Sequence, residues 1–335
     1  MSALGNSGLH PIVRLAPAKL NLTLAVIGRR PDGFHDLHSV FVPLALADRL
    51  SLAPVGGTED RLHVSGADTG PLGDNLVLRA IAAARWAVGQ GPGRPATGPL
   101  AARLEKRIPA AAGLGGGSSD AAATLDGALA AWGAELDPEA RHRTAVSLGS
   151  DVPFFLAGGP ALVEGRGERV TPLGGVRPGG TAPGVLLVTP AVGIATADVF
   201  AVFAATRGSG DGSVRTTSSH FAEELGHGLS GTDIVARAGV LAAANDLLPA
   251  TALVLPELVP LRRALARHLG RPIGLSGSGP TRWALYPSQA EAADAAASVE
   301  AAVAAGTLPT PGDRPPFVVA TAILSGTSTS GGPQP

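Results

Sequence analysis

The chain has 335 residues, room for about two domains at roughly 150 residues each and for a core that needs no covalent staples. With 45% hydrophobic and 16% charged residues it lies outside the composition of disordered chains, and a net charge of −1 supplies no field for polyphosphate backbones or anionic lipid. Cysteine is absent, which removes disulfides, thiolate metal sites and cysteine nucleophiles.

In chain order, Met1 to Pro11 lacks the basic-then-apolar pattern of a signal peptide, and no uninterrupted apolar run reaches about 18 residues; the expected location is the cytoplasm. Alternation from Leu20 to Val26 predicts a strand, with Gly28 to Gly33 as its turn and Lys19 at its mouth. Strands are predicted over Arg49–Val55 and Leu62–Val64, then a helix capped by Asp74-Asn75 and running to about Val88. Leu100 to Ile108 alternates again, and an apolar, glycine-rich connection to Gly117 leads into a helix opened by Ser118, Ser119 and Asp120 and ending near Gly133. Asp137-Pro138 starts a further helix that ends near Gly149. Thr206 to Ser219, mostly Gly, Ser, Thr and Arg, reads as a mobile loop or linker. Helices are predicted over Asp233–Ala244 and Pro256–Leu269, strands over Pro272–Leu275 and Arg282–Tyr286, a helix boxed by Ser288 and Glu291, and a strand over Phe317–Leu324 before a disordered tail. Without strict βαβ alternation, the order favours a two-domain α+β architecture over a doubly wound sheet.

Two features point to chemistry. Among 26 basic residues only Lys19 and Lys106 are lysines, so each is a candidate for work that needs a compact ammonium in place of a planar guanidinium. Gly113-Leu114-Gly115-Gly116-Gly117-Ser118-Ser119 delivers a glycine loop onto a helix N-terminus, where backbone N–H groups converge on phosphate, the helix dipole assists, and the serine hydroxyls add contacts. No Gly-Lys-Ser/Thr follows, so this is not a Walker A loop; the third glycine of a dinucleotide fingerprint would fall on Ser118.

The segment Pro109-Ala110-Ala111-Ala112-Gly113 through Ser119, with Asp120-Ala121-Ala122, resembles the phosphate-binding motif of the kinases named for galactokinase, homoserine kinase, mevalonate kinase and phosphomevalonate kinase. Within that superfamily, Pro17 to Leu22 and Gly28 to His35 resemble the family acting on 4-diphosphocytidyl-2-C-methyl-D-erythritol. Gly149 to Phe155 and Leu275-Ser276-Gly277-Ser278-Gly279-Pro280 agree in order and spacing. The resemblance spans residues 11 to 324. It implies a two-domain small-molecule kinase fold with the active site in the cleft between domains: residues 1–180 for ATP, 181–324 for substrate, and 325–335 as tail.

It also implies ATP and transfer of the γ-phosphoryl group to the 2-hydroxyl of that substrate on the non-mevalonate route to isoprenoids; Mg2+ is expected from the chemistry of ATP, with no carboxylate cluster at ligand spacing to hold it. Asp151 is the implied proton acceptor, with Lys19 beside it near the hydroxyl; an ammonium about 4 Å from a carboxylate favours the charged form of both. Phe34 and Phe200 are implied to stack on the cytosine ring, His35 to bond its polar edge, and Asn21 and Thr196 to hold polar groups. Tyrosine is common in the family at the position of Phe34, so the ring is kept and a hydroxyl contact is not. Asn75 and Lys106 are assigned to the border of the adenine pocket, and Ser276, Gly277 and Ser278 to the phosphates or the erythritol end. The implied partner is a small cytidyl substrate, with neither nucleic acid nor membrane, in a monomer or homodimer. Alternatives are another acceptor within the superfamily, a non-catalytic nucleotide-binding module, and a dinucleotide oxidoreductase.

Overall fold

The computed structural model describes residues 10–66, 75–91, 95–177, 180–206, 210 and 212–325. Its elements are β1 (Ile12–Asn21), β2 (Ala25–Arg29), β3 (His35–Pro54), β4 (Arg61–Gly66), α1 (Leu76–Gln90), β5 (Leu100–Lys106), α2 (Gly116–Trp132), α3 (Pro138–Leu148), α4 (Val152–Ala157), β6 (Ala161–Gly165), β7 (Arg169–Pro172) and β8 (Gly184–Thr189). There follow α5 (Thr196–Thr206), α6 (Ser213–Gly226), α7 (Gly231–Ala236), α8 (Ala238–Ala243), α9 (Leu248–Val254), α10 (Leu258–Leu269), β9 (Gly274–Leu275), β10 (Arg282–Tyr286), α11 (Gln289–Ala304) and β11 (Phe317–Ala322).

The chain forms two compact units, neither continuous in sequence. One comprises residues 1–16, 47–110 and 116–152, the other residues 17–46, 111–115 and 153–335. The expected single boundary near residue 180 is not where these units divide. Residues 17–46, which carry much of the implied substrate set, fall with the C-terminal part of the chain.

In the first unit the C-terminal half of β3 pairs antiparallel with β5, and β4 runs parallel to β5 on its other side. Helix α1 packs on α2 and α3, burying Val77, Ala80, Ile81, Ala84, Ala87 and Val88 at helical spacing. Asn75 caps it, its side chain accepting from Val77 N–H at 2.9 Å; the Asp74 half of the expected cap lies outside the described residues. Asp137 caps α3 with Pro138 in the first turn, as the sequence predicts.

In the second unit an antiparallel sheet in the order β11-β8-β10-β9 carries a core of Leu186, Val188, Ile273, Ala284 and Tyr286 under residues of α5, α10 and α11, among them Val199, Phe203, Leu261, Leu265 and Val299. The N-terminal half of β3 pairs with β2 and β6, and β6 with β7. Among the described residues no helix is long and apolar enough to cross a membrane.

Three expectations are corrected. The strand over Leu20–Val26 divides into the end of β1 and the start of β2, because Leu22 N–H bonds Val40 while Leu24 N–H turns to Ala244. The loop over Thr206–Ser219 holds the first half of α6, whose Ser218, Phe221, Ala222 and Leu225 form a buried stripe that extends past the polar stretch; residues 207–209 and 211 lie outside the described residues, as does the tail beyond Ser325. The helix over Asp233–Ala244 is split at Arg237, whose guanidinium is held by Glu224 at 2.5 and 2.8 Å.

Candidate active site

Lys19 lies near the end of β1, buried. Its Nζ donates to Asn21 Oδ1 at 2.6 Å and sits 4.7 Å from the centre of the Phe41 ring. Asn21 Nδ2 donates to Ser39 Oγ at 3.1 Å, and Ser39 donates to the Thr23 carbonyl, so the amide is locked in the orientation that offers its oxygen to the ammonium. Two glycines wall this centre. A Cβ on Gly115 would fall 2.9 Å from Lys19 Cγ and 3.0 Å from the Phe155 ring; a Cβ on Gly277 would fall 3.2 Å from Asn21 Oδ1 and 3.5 Å from Lys19 Nζ.

The two glycine turns are also packed together. Gly113, at φ +78°, and Gly279 approach so closely that a Cβ on Gly113 would meet Ser276 O at 2.5 Å and one on Gly279 would meet Gly113 N at 2.6 Å. Ser276 Oγ donates to Gly113 O at 3.0 Å and Thr281 Oγ1 to Ala112 O at 2.7 Å. Beside Gly113, Ala111 is held at φ +52°, the one non-glycine residue in that region among those described; such backbone persists only where its surroundings over-determine it. Asn245 braces the second turn, Nδ2 donating to Leu275 O at 3.2 Å and Gly277 O at 2.9 Å.

Helix α2 begins at Gly116, two residues before the expected Ser118, so Gly116 and Gly117 lie inside its first turn. The N–H groups of that turn have no partner within the helix. Ser119 Oγ is buried there without a protein partner. A nucleotide phosphate fits this chemistry: bare backbone on Gly116 and Gly117, helix-terminal N–H groups and an unpartnered hydroxyl. Asn75 and Lys106 have other occupations, the first capping α1 and the second holding Asp120 at 2.7 Å together with Asp48. Asp151 stands immediately before α4, where Val152 N–H bonds the Gly149 carbonyl at 3.2 Å.

Among the implied base-binding residues, His35 stacks on Phe200, ring centres 5.0 Å apart and planes 26° from parallel, with the Phe203 edge behind it. One face of Phe200 is therefore covered by His35. Burial pushes the His35 imidazole down from its usual range, and its buried Nε2 has no protein partner. Phe34 is exposed, with the Arg166 guanidinium 4.5 Å from its ring centre. Thr196 and Ser278 meet: Ser278 Oγ donates to Thr196 Oγ1 at 3.0 Å.

Sequence reasoning missed Asn245, Asp48, Arg166 and Thr281. A signal existed for the first, since Asn245-Asp246 is a polar pair within the apolar run Leu241 to Leu248. None existed for Thr281, whose role comes from a partner 169 residues away.

A model of the GHMP kinases N terminal domain matches residues 75–159. The 4-diphosphocytidyl-2-C-methyl-D-erythritol kinase of Pelotomaculum thermopropionicum is 38% identical over 274 residues, covering 82% of this chain and 88% of that protein. The enzyme of the same description from Deinococcus radiodurans is 38% identical over 290 residues, 85% and 87% of the two chains. A crystal structure of 4-(cytidine 5'-diphospho)-2C-methyl-D-erythritol kinase superposes with a TM-score of 0.66 at 33% identity, covering 93% of this chain and 99% of that one. The homoserine kinase of Cytophaga hutchinsonii superposes at 0.67 with 18% identity, a likeness of fold alone. The α+β kinase fold implied by the glycine motifs is thus the observed one, and with relatives this similar over nearly their whole length the chain belongs to the 4-diphosphocytidyl-2-C-methyl-D-erythritol kinase family of the GHMP kinases.

Proposed function

We infer that this kinase transfers the γ-phosphoryl group of ATP to the 2-hydroxyl of 4-diphosphocytidyl-2-C-methyl-D-erythritol, giving the 2-phosphate and ADP, on the non-mevalonate route to isoprenoid precursors and in the cytoplasm. The observation that carries the reading is the centre at Lys19, a buried ammonium held by Asn21 and walled by Gly115 and Gly277, in a chain of this family. Phosphoryl transfer passes through a loose transition state, so the protein's work is positioning and charge stabilisation. In this reading the start of α2 and the glycine segment from Pro109 to Ser119 hold the ATP phosphates, part of whose charge a Mg2+ ion bound with the nucleotide would neutralise.

Asp151 takes the proton of the attacking hydroxyl, and Lys19 stabilises the negative charge that develops on the oxygen. A lysine suits this place because its compact ammonium concentrates the charge at one point, where a guanidinium would spread it over a planar fork. Asn21, Thr196 and Ser278 hold polar groups of the acceptor. His35, kept neutral by burial, offers Nε2 to the cytosine edge, Phe200 holds the imidazole by stacking, and Phe34 supplies an aromatic face. Asn75 borders the adenine with its amide nitrogen.

The test is an ADP-release assay with ATP and Mg2+ and four acceptors in parallel: 4-diphosphocytidyl-methylerythritol, mevalonate, homoserine and galactose. Turnover confined to the cytidyl acceptor is expected. Preference for another acceptor would overturn the substrate assignment, and ATP binding with no turnover on any of them would overturn the reaction.

A further inference from the structure

Beneath the first turns of α2 lies a cluster of three charges that the reaction scheme above does not use. Lys106, the last residue of β5, donates to Asp120 Oδ2 at 2.7 Å and to Asp48 Oδ2, and all three side chains are buried. Asp48 Oδ1 in turn accepts the backbone N–H groups of Arg107 at 2.5 Å and Ile108 at 2.8 Å, the residues that lead into the glycine segment. A Cβ on Gly116 would stand 3.3 Å from Lys106 Nζ, so the ammonium lies directly under the first residue of α2. Asp120 Oδ1 and the neighbouring Ser119 Oγ are buried without protein partners. The cluster therefore ties β3, the exit of β5 and the start of α2 into one unit. With every group ionised it holds two negative charges and one positive, next to N–H groups that face phosphate.

We propose that Asp48, Lys106 and Asp120 form a clamp that positions the start of α2 for phosphate, and that nucleotide binding there is accompanied by uptake of a proton at Asp120. The inference rests on the assignment of this segment to ATP. The three side chains are positioning residues; Lys106 acts through the backbone it supports. Burial is the largest influence on Asp120 and opposes its ionised form; among the charged groups that act on it, Lys106 from β5 favours that form and Asp48 from β3 opposes it, so burial and Asp48 together prevail over Lys106 and push the carboxyl up to about 7. An arriving polyphosphate adds negative charge and pushes it higher, so the complex holds a proton that the free chain has partly lost near neutrality.

The experiment titrates the full chain with a non-hydrolysable ATP analogue and Mg2+ by calorimetry, in two buffers of different ionisation enthalpy, at several pH values on either side of about pH 7. The expected result is net proton uptake at and above neutrality, vanishing in acid, where Asp120 is protonated in both states. Asp120→Asn is expected to abolish the uptake. Lys106→Met is expected to raise the KM for ATP roughly tenfold or more while leaving the KM for the cytidyl acceptor unchanged. Should Asp120→Asn fail to fold, the pH course of uptake in the unaltered chain still decides: uptake constant across the range, or absent, overturns the clamp's proton linkage. Equal uptake in the variant also overturns it, and equal rises in both KM values for Lys106→Met overturn the positioning role. No analogue binding by the unaltered chain would remove the nucleotide assignment itself.

Discussion

Lys19 has its ammonium fixed by one amide oxygen and one ring face, and its stem crowded by Gly115, so it tolerates little change in shape. Lys19→Arg keeps the charge but replaces the compact ammonium by a larger planar fork beside Gly115 and Gly277; kcat is expected to fall about a hundredfold or more with ATP binding intact, measured by steady-state kinetics and analogue titration. Asp151→Asn removes the carboxylate proposed as proton acceptor and keeps the shape, and kcat is expected to fall between about a hundredfold and ten-thousandfold with unchanged analogue affinity; full activity would remove Asp151 from that role. Both proposed residues stood out in the sequence, Lys19 because lysine is otherwise avoided and Asp151 because it stands in a recognisable block. Asp48 did not, since it owes its role to backbone N–H groups 59 and 60 residues away.

The two glycine turns behave as one element of the site, joined through Ser276, Thr281 and Asn245. Asn245→Ala leaves two buried carbonyls, of Leu275 and Gly277, without their donor, and a loss of about 1–3 kcal/mol in denaturant unfolding is expected. Its effect on turnover should fall on the acceptor's KM, because Gly277 lies against Asn21. Elements with a cap were readable, α1 and α3 from their capping residues, and β10 was read with its observed bounds although it is buried throughout. Strand β8 was not: like β10 it is buried throughout, and its sequence Gly-Val-Leu-Leu-Val-Thr is a short apolar run with no alternation to mark it. Helix α6 was hidden by its polar first half, although its apolar residues keep helical spacing.

Over the whole molecule, the chain folds into two discontinuous units. Lys19, Asn21, His35, Thr196, Phe200 and Ser278 share one of them, and the charged clamp with α2 lies in the other. No reading of composition along the chain could anticipate that, since it depends on residues 17–46 joining the C-terminal part. The clamp also links global stability to pH. A carboxyl raised to about 7 in the folded state binds its proton more tightly there than in the unfolded chain, so the stability it confers is full in acid and lost as pH rises from about 4 to about 7. Asp120→Asn is expected to flatten the fall in unfolding free energy over that range; an unchanged slope would show that Asp120 does not titrate there. Phosphoryl transfer to one hydroxyl of a cytidyl acceptor can be read from mass and phosphorus NMR spectra of the product made from ATP and 4-diphosphocytidyl-methylerythritol. A single new phosphomonoester on the 2-oxygen, an intact diphosphate bridge and one ADP for each product formed are expected, whereas ADP release without a phosphorylated acceptor, or a phosphate at another position, would contradict the account.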